Sequence, residues 1–314
     1  MKVSQAIELY NNFGFDVAFS SVCASSFKNA CDYRNRIIMR YLKEEYNDFI
    51  SEYQHKSYDS NTKNENSKVI WTLWFQGDSD EVLPDVVRMC RNNLKKNCGS
   101  HSVKILTKDN YHNYIDIPGY IIDKVESGQI SLAHFSDLIR MCLLLNHGGM
   151  WLDATIFTTK KIPEGIFDMK YFTVKHAYKN VRNVSKERWT NFLQASESNT
   201  VLCDFIYNFL LEYYKTQKIL IHYLIFDYAF ALAYNEIPQC RKILDDVPLN
   251  NPEIHDLDDL MSSKFDETVY KKLTEETMFF KLNWKRNYKK SSFGRETFYG
   301  YLLKQVTAKT EPFN

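Results

Sequence analysis

No charge of one sign dominates this 314-residue chain: 40 Lys and Arg against 39 Asp and Glu leave a net charge of +1. That balance excludes a global electrostatic pull toward nucleic acid. The cysteines include no CxxC pair, and their number, seven, is odd. A fully paired disulfide framework is therefore excluded, and they read as reduced, mostly buried thiols of a cytosolic protein. No basic segment followed by a long apolar stretch opens the chain, so no signal peptide is expected. The longest apolar run, ILIHYLIFDYAFALAY at 219–234, is interrupted by His222 and Asp227. It is too short to span a bilayer comfortably and reads as a buried helix. Internal repeats and low-complexity segments are lacking as well.

What is present fits a soluble globular protein: 44% hydrophobic and 25% charged residues, in a length that allows one large core or two smaller ones. The 21 Tyr and 21 Phe supply an aromatic core and suit sugar or lipid contacts. Residues 1–50 are expected to be helical, with Ile37, Ile38, Tyr41, Leu42, Tyr46 and Phe49 on one apolar stripe. Residues 51–68 are polar and read as a linker, and 69–314 read as one unit with a helical C-terminal part. Within that unit VIWTLWF is a strand, Pro84–Lys96 a helix and SVKILT (102–107) a second strand. Helices at Ile121–Val125 and Ser131–Asn146 then precede a WLDATIF strand. The alternation predicts an α/β fold with a Rossmann-like nucleotide-binding half. Tyr171 opens another strand, and the rest reads as helical through 197–234, 256–262 and 266–274.

The chemistry concentrates between Ser131 and Phe157. Leu132, Phe135, Leu138, Ile139, Cys142, Leu143 and Leu145 recur at helical spacing, and Gly148 and Gly149 end the helix where positive φ is cheap. Asp137 and Arg140 then lie one turn apart on one side. On the following strand Asp153 and Thr155 project to a common face. This set suits a sugar nucleotide: Asp137 can accept from sugar hydroxyls, Arg140 can orient it, and Asp153 can hold a ribose hydroxyl or a cation beside a diphosphate. An i,i+3 Asp/Arg pair alone also describes an ordinary surface ion pair. A carboxylate on a buried strand is harder to dismiss, because unpaired burial is costly.

These residues carry a resemblance. SDLIRMCLLLNHGGMWLDAT resembles the SD..R…GG.WLDAT core of the bacterial capsular polysaccharide synthesis proteins of glycosyltransferase family 32. VIWTLWFQGDSDEVLPDVVRMCRNNLKKN is similar to that family's opening IW..W.QG strand with its proline and helix, and KLNWK at 281–285 to its KL.(Y/W)K element. The resemblance implies a GT-A type fold with a Rossmann-like core, a nucleotide-sugar donor, and transfer with retention of configuration. More distantly, the same core is similar to that of the clostridial glucosylating toxins. Carried over by position, Ser136, Asp137 and Arg140 would touch the donor and Asp153 would fill the first DxD position. Trp74 would stack on uracil, with Gln76 and Gly77 in the same ligand loop. The second acidic position is Thr155, a poorer ligand for a hard cation. Mn²⁺ or Mg²⁺ would then rest on Asp153, the diphosphate and a C-terminal residue, or basic groups would take over part of the metal's work. Lys281 and Lys285 would neutralise the leaving diphosphate. His222 and Asp227 would serve the acceptor or support the site, or form a hydrogen-bonded core pair. His134 reads as a helix-surface or satisfied core histidine.

The resemblance further implies a UDP-hexose donor, UDP-galactose before UDP-glucose, and an acceptor sugar linked to a lipid diphosphate during capsular repeat-unit synthesis. The chain would reach that acceptor as a peripheral protein at the cytoplasmic face of the cell membrane. Arg34, Arg36, Arg40 and Lys43 beside the N-terminal stripe would form a docking surface, or that helix would pack on the catalytic unit. Two other classes stay open: a protein-modifying glycosyltransferase, and a non-catalytic sugar-nucleotide-binding partner in capsule assembly.

Overall fold

The computed structural model describes residues 1–56, 68–177 and 182–307. Helix α1 (Val3–Ser26) is interrupted at Gly14, and α2 (Cys31–Glu45) and α3 (Asn47–His55) follow. The expected linker at 51–68 thus begins inside α3, and its residues 57–67 lie outside the described ones.

Strands β1 (Val69–Leu73), β2 (Ser102–Leu106), β3 (Gly149–Leu152), β5 (Tyr171–Thr173) and β6 (Leu193–Ser196) form a mixed five-stranded sheet in the order β2-β1-β3-β6-β5. β2 and β3 flank β1 and are both parallel to it, whereas β6 runs antiparallel to β3 and β5. Helix α4 (Asp85–Asn97) connects β1 to β2; α5 (Gly119–Glu126) and α6 (Leu132–His147) connect β2 to β3 on the other side of β1. The chain therefore reverses its direction of winding between β1 and β3, where a crevice opens beyond the strands' carboxyl ends.

Helix α6 is buried nearly all round, because it packs on α7 (Val201–Thr216) as well as on β3 and β6. Phe135, Leu138, Ile139, Cys142 and Leu143 of the expected stripe are buried, Leu145 is partly so, and Leu132 in the first turn is 44% exposed. Gly148 ends the helix with φ of +66°, and a Cβ there would meet Ser198 N at 2.8 Å and Ser196 O at 2.9 Å. Both the left-handed backbone and the space demand glycine.

The N-terminal stripe packs inward. Ile37, Ile38, Leu42 and Tyr46 are buried, and Tyr46 and Tyr53 meet Phe209 and Phe205 of α7 edge-on, with ring centroids 5.1 and 5.0 Å apart. Helices α8 (Ile225–Glu236) and α9 (Pro238–Asp245) complete this core. The expected helix at 219–234 forms only from Ile225 onward; 219–224 is a loop. Among the described residues no helix is long and apolar enough to cross a membrane.

The expected WLDATIF strand is two strands. The chain leaves the sheet at Asp153, turns with Ile156 N donating to Asp153 O (2.9 Å), and continues as β4 (Ile156–Thr158) in a second, two-stranded sheet. β4 pairs antiparallel with β7 (Phe279–Lys281), setting Ile156 opposite Lys281. A second hydrophobic cluster, around Phe157, Phe280, Met89 and Leu302, packs this ribbon against α4, α10 (Asp256–Leu260), α11 (Glu267–Glu276) and α12 (Phe298–Thr307). All seven cysteines are free thiols.

Candidate functional site

At the β1–β3 crevice a cleft of about 380 Å³ brings together Trp74, Ser136, Asp137, Arg140, Asp153, Thr155, Asp227 and Lys281. They arrive from five pieces of backbone, Asp227 from α8. Trp74 follows the end of β1, Asp153 and Thr155 sit in the turn after β3, and Lys281 ends β7. Ser131 caps α6, its hydroxyl accepting from His134 N at 3.3 Å, and so fixes the first turns from which Ser136, Asp137 and Arg140 project. His134 is a buried, satisfied histidine: its ring nitrogens lie 2.7 Å from Ser131 Oγ and 2.8 Å from Tyr223 O.

A charged chain crosses the cleft. Arg140 donates to Asp137 Oδ1 (2.6 Å) and reaches Asp153 Oδ1 at 3.5 Å. Trp151 Nε1 also donates to Asp153 Oδ1 (2.9 Å), and Lys281 Nζ donates to Asp153 Oδ2 (2.7 Å). The guanidinium of Arg140 lies over the Trp151 and Phe226 rings, 4.9 and 5.2 Å from their centroids. The i,i+3 Asp137–Arg140 pair is therefore buried, not a surface pair. Buried pairs of this kind seldom stabilise a fold more than apolar packing would, so their presence in a cleft points to function.

The two carboxylates differ. Burial raises the Asp137 pKa, against the opposing pull of Arg140. Burial also resists ionisation of Asp153, but Lys281 and Arg140 together outweigh it and hold that carboxyl below its ordinary value. Asp227 accepts from Trp189 Nε1 (3.0 Å), and burial pushes it up to about 7. Buried N–H groups at Arg140 Nε and Trp74 Nε1 have no partner among the described residues, which suits a site that a polar ligand completes.

Gln76 and Gly77 stand in the turn after Trp74, outside the residues lining the cleft, and Gln76 is exposed. Lys285 is exposed and lies over the Trp284 ring at 5.5 Å. His222 does not pair with Asp227; its Nδ1 accepts from Leu224 N (3.0 Å), and it lines a separate cavity. Several lining residues lie outside the sequence-based expectations, among them Trp151, Tyr223, Phe226 and Trp284. Trp284 and Trp74 form a T-shaped pair, with centroids 5.4 Å apart and planes at 89°. The signal for Trp284 in the sequence is the tryptophan inside KLNWK.

The donor set offers little for a resident divalent cation. Both Asp153 oxygens already accept hydrogen bonds, Thr155 offers a hydroxyl, and no group of three or more His, Cys, Asp or Glu converges among the described residues.

Residues 21–302 match the model of the family described as capsular polysaccharide synthesis protein. No curated protein matches. Among solved structures, one titled PaToxG Glycosyltransferase is similar at 15% identity and a TM-score of 0.36, over 77% of this chain and 95% of that one.

Proposed function

We propose, for a chain that belongs to the capsular polysaccharide synthesis protein family, that it is a retaining glycosyltransferase of family 32 with a GT-A type fold, moving a hexose from a UDP-sugar. The observation that carries this reading is the Asp137–Arg140–Asp153–Lys281 chain at the β1–β3 switch point. Ligands in open α/β sheets bind at such points. Trp74 takes the uracil, the hexose lies against Asp137 and Arg140, and the diphosphate lies between Asp153 and Lys281.

The bond from the anomeric carbon to phosphate breaks with oxocarbenium character, and negative charge gathers on the leaving diphosphate. Lys281 meets that charge from a fixed position. The acceptor hydroxyl attacks from the same face and its proton passes to the departing diphosphate oxygen. Asp137, held by Arg140, positions the sugar for this attack. If Mn²⁺ or Mg²⁺ entered with the diphosphate, Asp153 would be the protein carboxylate nearest to hand and the cation would add to the neutralisation that Lys281 supplies.

UDP-galactose is the first choice of donor and a lipid-diphosphate-linked sugar the acceptor. Peripheral contact with the inner membrane face is supported by α1. Val3, Ile7 and Tyr10 before Gly14, and Phe15, Phe19 and Val22 after it, are 40–76% exposed at i, i+4, i+7 spacing. The basic residues expected to dock do less: Arg36, Arg40 and Lys43 are paired with Asp32, Asp16 and Glu236, and the α2 stripe beside them is buried.

The test is UDP release from UDP-galactose with a lipid-linked acceptor, with the product linkage read by NMR. An α-linked product supports the reading. Saturable donor binding without release favours the non-catalytic partner.

A further inference from the structure

We infer that the cavity between α1 and the 219–223 loop binds the phosphate-bearing part of an amphipathic acceptor, with Arg34 as its anion-binding residue. The identity of the ligand rests on the glycosyltransferase reading above. The cavity, of about 390 Å³, is walled by Gln5, Leu9, Ser21, Arg34, Ile221 and Tyr223, among others. Tyr223 also lines the donor cleft, so the two spaces share a wall. A second substrate held here would lie beside the donor.

Two buried polar atoms belonging to this cavity's residues, Arg34 Nε and Ser21 Oγ, have no hydrogen-bond partner among the described residues. Arg34 is steadied by Asn35 Oδ1 at 3.3 Å and by the Tyr228 hydroxyl, yet no carboxylate pairs with it among the described residues. Arg36, Arg40 and Lys43 on the same helix all have carboxylate partners. A half-buried guanidinium without a counter-ion costs free energy that an anion would recover. His222 in the same wall is held neutral, its pKa pushed down to about 4 by burial and by Arg34, and its Nδ1 accepts from Leu224 N. Its other ring nitrogen is then an N–H donor.

A guanidinium, a hydroxyl and an imidazole N–H match phosphate oxygens better than sugar hydroxyls. Leu9, Ile219, Leu220 and Ile221 supply apolar wall for the rest of the ligand. The one carboxylate in the lining, Glu8, is exposed. The apolar outer side of α1 suits a ligand delivered from a lipid surface and not from solution.

The experiment titrates farnesyl diphosphate into the full chain saturated with UDP, by calorimetry, for wild type, Arg34→Gln, Arg34→Lys and Ser25→Trp. Ser25 is an exposed residue of the cavity wall, so the tryptophan blocks it without disturbing the core. Saturable binding is expected, weakened about tenfold or more by Arg34→Gln and by Ser25→Trp, and largely kept by Arg34→Lys. Inorganic pyrophosphate is expected to bind more weakly than the farnesyl compound. Unchanged farnesyl diphosphate affinity in Arg34→Gln and Ser25→Trp overturns the inference. Pyrophosphate binding as tight as farnesyl diphosphate overturns the amphipathic class. UDP titrated alone separates the two readings: if UDP fails to bind while farnesyl diphosphate binding still depends on Arg34, the donor reading falls and the cavity stands. Equal UDP affinity and equal thermal midpoints show that the variants are folded.

Discussion

Lys281 Nζ donates to Asp153 Oδ2 across 2.7 Å, joining β7 to the turn after β3 over 128 residues of sequence. The contact exists because β4 leaves the main sheet and pairs with β7, setting Ile156 opposite Lys281. It ties the turn after β3 to the C-terminal part of the chain at the point where, on the proposed reading, a diphosphate would leave.

Replacing that ammonium tests its role. Lys281→Met removes the cation facing the leaving group, and kcat for UDP release is expected to fall by about 10²-fold, the loss typical of a missing charge-stabilising donor. Lys281→Arg should recover part of it. Asp153 loses its strongest opposing charge in Lys281→Met, so its carboxyl should titrate at higher pH. Unchanged kcat in the methionine variant would remove Lys281 from the chemistry.

Trp74 and Trp284 should act on donor binding more than on turnover. Stacking of a base on an aromatic ring is worth about 1–3 kcal/mol. Trp74→Ala is therefore expected to raise the dissociation constant of UDP by about tenfold while kcat at saturation changes less. Trp284→Ala, which removes the ring packed against Trp74, should give a smaller effect of the same sign. Fluorescence titration with UDP measures both.

Asp227 makes stability depend on pH. Its folded pKa of about 7 lies above the ordinary carboxyl value of 3.8, so between those limits the folded state holds more protons than the unfolded one. Stability from this group is greatest below about pH 4 and is lost as pH rises through 7. The ceiling on the loss is about 4 kcal/mol. His222 runs the opposite way, since its folded pKa near 4 lies below the ordinary 6.5. The comparison is therefore between wild type and Asp227→Asn: the asparagine variant should gain on wild type as pH goes from 5 to 8. Urea denaturation at each pH checks it, and parallel curves would contradict the account.

Gly148→Ala tests the hinge between α6 and β3. A Cβ 2.8 Å from Ser198 N and a φ of +66° leave no relaxed position for it. The expected cost is about 1–3 kcal/mol, read as a lower thermal midpoint. An unchanged midpoint would show that the backbone can shift.

Much of this site was legible because it is local. The α6 stripe, its glycine stop and the residues Asp137, Arg140 and Asp153 lie within one short run, where helical periodicity and a breaker can be read directly. Asp153 and Thr155, expected on one face of a continuous strand, instead line the cleft from a turn. A seven-residue apolar run carries no mark of which sheet each half will join, and here β7 decides it. Strands β6 and β7, of four and three residues, escape the sequence reading because segments that short hold at most two periods of alternation. His222 and Asp227 were placed on one helix by composition, yet the loop at 219–224 separates them. Asp227 joins the cleft, whereas His222 faces the Arg34 cavity. Trp284 became visible only when β7 brought its loop beside Trp74.

The most direct measurement is a donor screen: release of free nucleoside diphosphate from UDP-galactose, UDP-glucose, UDP-N-acetylglucosamine and GDP-mannose, each with Mn²⁺ and with chelator, for wild type and Asp153→Ala. The account predicts turnover of one UDP-hexose by wild type and its loss in Asp153→Ala. No release from any donor by wild type, even with lipid-linked acceptors added, would contradict it.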